Sequence, residues 1–212
     1  AMRRHGGGSE VFVQLQPGAS VIVRLLDRQK LSGVAWPYRQ IAGDALPVTG
    51  KWQVKFIAGG PELPPSFETN QLGSWAARGG EAERFAGTAL YRTTFDAPAP
   101  SAGEWMLDLG VVAQSARVRV NGRDLGTLLL PPFRVAVDRL EPRGNVLEVE
   151  VTNLSANRIR DLDRRGVKWR NFYDINFIGI GGKPFDASKW PLTDSGLLGP
   201  VRLVPLKKAA VK

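Results

Sequence analysis

Cysteine is absent from this chain, and histidine occurs once, at His5. The first absence excludes disulfides, thiol nucleophiles and cysteine-ligated zinc, and it is compatible with any compartment. With a single imidazole close to the N-terminus, histidine-based charge-relay triads and histidine-ligated metal sites are excluded as well. No cofactor is indicated, although an oxygen-ligated structural calcium stays open. Long apolar runs are also missing: none approaches the roughly 18 residues needed to span a bilayer, so no membrane role is expected. The first eight residues lack the apolar centre of a signal peptide. Ala1 before Met2 reads as an added residue, and residues 1–9 are expected to be a tag or disordered tail.

What is present suffices for a sizeable core. The 212 residues are 43% hydrophobic, enough for one large or two small domains. The balance is basic, with 29 Lys+Arg against 20 Asp+Glu and a formal charge of +9. Such a balance invites a nucleic-acid reading, but the cations are scattered. Arg117 and Arg119 alternate, as residues on one solvated strand face do. The densest cluster is Arg158, Arg160, Arg164, Arg165, Lys168 and Arg170, which suits an acidic polysaccharide better than nucleic acid.

The dominant pattern along the chain is alternation of period two. Residues 10–15 and 20–25 flank Pro17-Gly18 and read as a hairpin. Residues 27–49 have no clear period. Residues 10–49 are therefore expected to be a β-hairpin and linker from a preceding domain, and residues 50–206 the main domain. Within it, strands are expected at 52–56, 88–95, 104–109, 116–120, 124–130, 133–137, 145–151 and 201–206. Asn121-Gly122 marks a tight hairpin turn, because both residues tolerate positive φ. No stretch holds a helical period over three turns. Many short strands separated by turn signals predict an all-β antiparallel β-sandwich. Residues 152–199 form a long, polar, aromatic stretch with little period, and loops of that length are often functional. Residues 207–212 read as a frayed end.

Several of these strands form a recognisable series. Residues 87–95, Leu107-Asp108-Leu109-Gly110, residues 116–126, Pro132-Phe133-Arg134-Val135 and residues 145–153 resemble the galactose-binding-like jelly-roll domains of glycoside hydrolases such as β-galactosidases and β-glucuronidases. Residues 152–159 and Asp194-Ser195-Gly196-Leu197-Leu198-Gly199-Pro200-Val201 are similar to the C-terminal end of glycoside hydrolase family 106 α-L-rhamnosidases. The resemblance covers residues 50–206. It implies a jelly roll carried by a large, periplasmic or secreted, polysaccharide-degrading enzyme. The catalytic carboxylates and calcium of that family lie in an upstream barrel, which nothing here resembles. No catalytic residue is therefore carried over, and the chain is expected not to be an enzyme by itself.

Binding candidates come from residue chemistry. Glycosidases need two carboxylates across a scissile bond, but Asp161 with Asp163, or Asp174 with Asp186, reads as loop acids and turn formers. Asn, Arg and Asp present planar, fixed donors and acceptors that suit paired sugar hydroxyls. This singles out Asn153, Asn157, Arg158 and Asp161, and the last three approximate the position of a loop that, in the domains this chain resembles, reaches toward the neighbouring barrel's active site. Their structural alternative is backbone satisfaction and a local ion pair. Of the six tryptophans, Trp52 and Trp105 follow the strand pattern and read as core. Trp169 and Trp190, with Tyr173, lie in the long loop stretch and could stack on a sugar ring or seal the loop against the sandwich. Trp75 is open to either use. The glycines of Ile178-Gly179-Ile180-Gly181-Gly182-Lys183 have the wrong spacing for a phosphate loop.

Two functions follow. One is a carbohydrate-binding or substrate-guiding module, whose partners are a rhamnose-containing oligo- or polysaccharide, neutral or acidic, and the catalytic domain of the same polypeptide. The other is a purely structural domain that braces the barrel and binds no sugar. In the first, the sugar is expected at the loops after Val151, because a sandwich commits its inner faces to the core.

Overall fold

The computed structural model describes residues 2–15, 20–24, 26, 36–99, 103–171, 182 and 184–209. It is an antiparallel β-sandwich. One layer is six-stranded, built from β5 (Trp52–Gly60), β6 (Phe67–Thr69), β7 (Ala86–Phe95), β10 (Ser115–Val120), β11 (Arg123–Leu128) and β13 (Asn145–Thr152), in the order β11-β10-β13-β7-β5-β6. The other is five-stranded. Its path runs through β12 (Arg134–Val137), β8 (Glu104–Asp108), β15 (Arg202–Lys208) and β3 (Arg39–Ile41), with β4 (Leu46–Pro47) also pairing β15. A small ribbon pairs β9 (Val111–Ala113) with β14 (Gly196–Gly199), and a hairpin pairs β1 (Met2–His5) with β2 (Gly8–Val11).

Alternation in the strands explains the layers. Along β13, Asn145, Leu147, Val149 and Val151 are buried, while Glu148 and Glu150 point away from the core. On β10, Ala116, Val118 and Val120 face inward beside them. Trp52, Val54 and Phe56 of β5 and Ala89, Tyr91 and Phe95 of β7 extend the same apolar face, which meets Trp105, Leu107 and Leu203 of the opposite sheet. A one-residue slip in any of these strands would turn its apolar set to water, so burial itself sets the register.

The turn between β10 and β11 falls at Asn121-Gly122, where φ is 52 and 78. Both central residues thus take the left-handed conformation of a two-residue hairpin. Asn121 does more than tolerate it: its Oδ1 accepts from the Val146 amide at 2.8 Å, and its Nδ2 donates to Asn145 Oδ1 at 2.9 Å. Asn145 is fully buried and also donates to Glu141 O at 2.7 Å. The turn is therefore locked to the start of β13.

The outward face of the six-stranded sheet is a ladder of ion pairs. Arg117 meets Asp124 at 2.6 Å, Arg119 meets Glu150 at 2.6 Å and Arg92 meets Glu148 at 3.7 Å. Arg117 and Arg119 are the solvated side of β10, as their alternation predicts, and their charge is spent locally.

Besides the short strands β6, β9 and β14, where none was expected, the described residues depart from the expected elements in three places. The N-terminal hairpin turns at Gly6-Gly7, while residues 12–15 and 20–24 carry no strand and residues 16–19 lie outside the described residues. Instead, Gln14 exchanges two hydrogen bonds of 2.9 Å with the backbone of Arg39, and the Tyr38 hydroxyl donates to Phe12 O at 2.7 Å. Second, residues 39–47 supply β3 and β4 to the edge of the five-stranded sheet. Third, helix α2 (Ala156–Arg164) stands inside the stretch that reads as a loop, and a 3-10 turn (Trp75–Arg78) followed by α1 (Gly80–Arg84) stands between β6 and β7, where no helix is expected. The α2 helix spans about two and a half turns and offers only Ile159 and Leu162 as apolar side chains, too few to register as a helical period. Among the described residues, no helix is long and apolar enough to cross a membrane.

Candidate functional site

The α2 helix leaves the sandwich directly after β13 and lies against α1. Its defining feature is a polar ridge that grips the backbone of residues 187–193. The Asn157 amide clamps Thr193, donating from Nδ2 to its carbonyl at 2.7 Å and accepting from its N–H at Oδ1 at 2.8 Å. Arg160 donates from Nε to Trp190 O at 2.9 Å, and Arg164 donates from Nε to Ser188 O at 2.8 Å. Asp163 accepts from the Ala187 amide at 2.7 Å. Residues 157, 160 and 164 recur at the spacing of one helical face, so a short helix reads an irregular strand of chain along its whole length.

The ridge continues into a buried polar cluster. Asn153, at the end of β13, donates to Phe85 O at 2.9 Å and to Ser195 Oγ at 3.0 Å, and its Oδ1 accepts from the Gly87 amide at 2.8 Å. Ser195 in turn accepts at its carbonyl from the Trp75 amide at 2.9 Å and donates its N–H to Ser74 Oγ at 3.0 Å. Asn153, Asn157 and Ser195 are 9%, 2% and 1% exposed. The two planar amides, Asn153 and Asn157, have nearly every donor and acceptor matched to backbone or to the Ser195 hydroxyl, as burial demands. Their hydrogen bonds are spent on partners within the protein.

The other sequence candidates separate by exposure. Trp75 is 1% exposed and lies in the core, edge-on to Phe56 at 5.4 Å and Phe85 at 6.0 Å and stacked on Tyr91 at 6.4 Å. Gly196, with φ 109, permits this packing, because a Cβ there would sit 2.3 Å from the Tyr91 hydroxyl and 2.7 Å from the Trp75 ring. Burial pushes the Tyr91 hydroxyl well above its usual range.

Arg158 and Asp161 form the i,i+3 ion pair at 3.1 Å, and Arg165 joins the same carboxylate at 2.8 Å. Arg160 reaches Glu83 of α1 at 2.8 Å. Of the six cations in the basic cluster, Arg158, Arg160, Arg165 and Arg170 thus have carboxylate partners, which leaves the cluster weaker as a polyanion site than its sequence density implies. Trp169 donates its indole N–H to Asp163 Oδ1 at 2.7 Å and meets Phe185 edge-on at 6.2 Å. Trp169 therefore seals the loop. Tyr173 and Asp174 lie outside the described residues, as does most of the glycine tract at 178–183.

Trp190 differs from the rest. Its ring is held edge-on to Phe185 at 5.5 Å, and its backbone is pinned by Arg160 at one atom and by the bond from its N–H to Ala187 O, 3.0 Å, at another. Yet 39% of the residue is exposed, and the neighbouring Leu192 is 41% exposed. It is a fixed aromatic ring at the surface. Asp163, which the sequence offered only as half of an acid pair, is the residue whose structural role went unseen. It gathers the Ala187 amide, the Trp169 indole and Arg170 at 3.2 Å on one carboxylate. Burial raises its carboxyl pKa, but those three partners outweigh that and hold it below the usual carboxylate range. Among the described residues, no three His, Cys, Asp or Glu side chains gather in a way that could hold a metal ion.

No family model matches the chain. A putative β-glucuronidase of Formosa agariphila is 34% identical over 178 residues, which are 74% of this chain and 15% of that protein. The solved structure of a rhamnosidase from Novosphingobium sp. PP1Y superposes with a TM-score of 0.59 and 29% identity, covering 85% of this chain and 16% of that one. The chain thus spans about a sixth of the length of these proteins, and it is similar to a β-sandwich segment within glycoside hydrolases.

Two outcomes test the architecture of this region. Asn157→Ala removes one side chain that satisfies two part-buried backbone groups of Thr193, and it should lower unfolding stability by about 1–3 kcal/mol in urea titration. Asp163→Asn should act through pH. A carboxyl whose folded pKa is depressed stabilises the fold above its unfolded pKa, about 3.9, and that contribution is lost as pH falls through the lower, folded value. The variant should therefore be less stable than the parent at pH 7, and the difference should shrink as the pH is lowered from about 5 toward 2. Thermal melts across that range give the measurement.

Proposed function

We propose that this chain is a non-catalytic β-sandwich module of an α-L-rhamnosidase-like glycoside hydrolase, related to the C-terminal end of family 106, and that it guides a rhamnose-containing polysaccharide toward a catalytic domain elsewhere in the same polypeptide. The observation that carries the guiding role is Trp190: a surface indole packed edge-on to Phe185, on a backbone pinned at both its N–H and its carbonyl. A pre-oriented ring loses little conformational freedom when a sugar stacks on it, and its π face complements the C–H face of a pyranose. The buried Asn153–Ser195–Asn157 cluster then serves as the mount for this platform. The similarity to a rhamnosidase segment supports the parent enzyme class, and a sugar polymer as substrate fits an extracytoplasmic setting, periplasmic or secreted.

A second reading rests on a different surface. Leu129 and Leu130, just past β11, are 69% and 70% exposed, Leu154, just past β13, is 53% exposed, and Val111 at the start of β9 is 58% exposed. The pairing of Leu128 with Ala116 and of Thr152 with Ser115 brings the first three to one end of the sheet. Apolar side chains gathered there suit burial against a neighbouring domain, as a brace would use them.

Affinity electrophoresis in gels containing a rhamnose-containing plant polysaccharide separates the two. The parent chain should be retarded, and Trp190→Ala, with an unchanged melting temperature, should lose at least tenfold in affinity, about 1.4 kcal/mol. A parent that binds no such polysaccharide would leave the bracing role in its place. The isolated chain should also release no 4-nitrophenol from an aryl α-L-rhamnoside. Turnover that survives purification and disappears on changing one carboxylate would refute the non-catalytic assignment.

A further inference from the structure

At the end of the sandwich away from α2, where β7 ends and β13 begins, a cleft of ≈ 370 Å³ opens at the seam between the two sheets. The ten residues of β7 separate it from α2 by about 30 Å. Its volume falls in the range of small-molecule sites.

Both walls are built rather than loose. On one side, Pro47 pairs with Arg202 across β4 and β15, and the Val48 amide donates to Val201 O at 2.9 Å. On the other, Asp96 Oδ1 accepts from the Gly144 amide at 2.9 Å, and the Ala97 amide donates to Pro142 O at 3.3 Å. Buried Phe95 and Leu203 lie beneath.

The lining has a definite chemistry. Its side-chain polar groups are the Asp96 carboxylate and the hydroxyls of Thr49 and Thr94, and its apolar walls include Pro47 and Pro98. Among the described residues, Asp96 Oδ2 and both hydroxyls have no hydrogen-bond partner, and all three residues are exposed. Among the described residues, no Lys or Arg lines the cleft. An acceptor-only carboxylate suits a pair of vicinal hydroxyl donors, the threonines can donate as well as accept, and the prolines present C–H surface without N–H groups. The negative charge of the Asp96 carboxylate in the lining disfavours an anionic ligand.

We infer that this cleft is a binding site for a single neutral sugar ring, separate from the Trp190 platform, with Asp96 gripping two adjacent ring hydroxyls. That the hydroxyl-bearing ligand is a sugar rests on the proposed glycosidase-associated role. The cleft's location and its preference for a neutral ligand rest on its own residues.

The test is amide NMR titration of the full chain with methyl α-L-rhamnoside, methyl β-D-galactoside and the anionic methyl β-D-glucuronide, each to about 50 mM, a range that captures weak affinities near 1 mM to 10 mM. At least one neutral glycoside should shift the amides of Thr49, Thr94, Asp96 and Gly144, and the glucuronide should bind at least tenfold more weakly. Asp96→Asn keeps an oxygen for the Gly144 amide, so the turn survives, but it replaces the second acceptor with a donor. It should weaken binding at least tenfold, with Thr94→Val intermediate and Trp190→Ala without effect. The inference is overturned if no neutral glycoside shifts these amides, if the glucuronide binds as well, or if Asp96→Asn binds like the parent. Because Trp190→Ala is read on polymer retardation and Asp96→Asn on the cleft amides, failure of one site is distinguishable from failure of the other.

Discussion

The arrangement at the α2 end depends on a side-chain-to-backbone clamp. Residues 187–193 have no strand or helix of their own to satisfy their peptide groups, and a segment in that position either stays in water or finds partners. The partners come from α2: Asn157 for Thr193, Arg160 for Trp190, Asp163 for Ala187 and Arg164 for Ser188. The helix owes its own persistence to the same contacts, since nine residues are too few to be stable in isolation. Helix and segment are therefore mutually dependent, and the Asn153–Ser195 bond joins the pair to the last residues of β13 and the first of β7.

This dependence explains why residues that look suited to a sugar are occupied elsewhere. The geometry that lets an amide bind two hydroxyls also lets it bind an N–H and a C=O of one residue, and Asn157 does the latter on Thr193. What reaches the surface is the product of that work, a ring at Trp190 with a fixed orientation. The basic character follows the same logic. On the outer sheet face and around α2, guanidinium groups are matched to carboxylates of adjacent strands or turns. The net charge of +9 is then a diffuse excess and not a concentrated anion site.

The two ends of the sandwich differ in how they are built. At the α2 end, polar side chains satisfy backbone and expose a ring. At the far end, backbone pairing of β4 with β15 and the Asp96–Gly144 turn hold the walls, which leaves one Asp96 oxygen and two threonine hydroxyls uncommitted. A scaffold whose core is closed by Leu147, Val149 and Val151 of the central strand β13 can carry distinct surfaces at both ends without strain on that core.

Period-two alternation was enough to determine the sandwich, its principal strands and the Asn121-Gly122 hairpin, because those features rest on local rules: side chains alternate across a strand, and two adjacent residues tolerate positive φ. Trp52 and Trp105 were legible as core for the same reason. The short strands β3, β4, β6, β9 and β14 and the helix α2 were not, since each has too few residues to show a period and exists only through the neighbours that complete its hydrogen bonds. The roles of Asn153, Asn157, Trp75 and Asp163 were decided at that level as well. An amide, an indole or a carboxylate reads identically in sequence whether it faces water or a carbonyl 36 residues away. Only the packing of β13, α2 and residues 185–195 determined that the first three are buried within the protein, that Asp163 is the hub of a loop, and that Trp190 is the ring left at the surface. Sequence specifies which interactions a side chain is able to make, and the tertiary structure selects among them by which partner it brings within hydrogen-bonding distance.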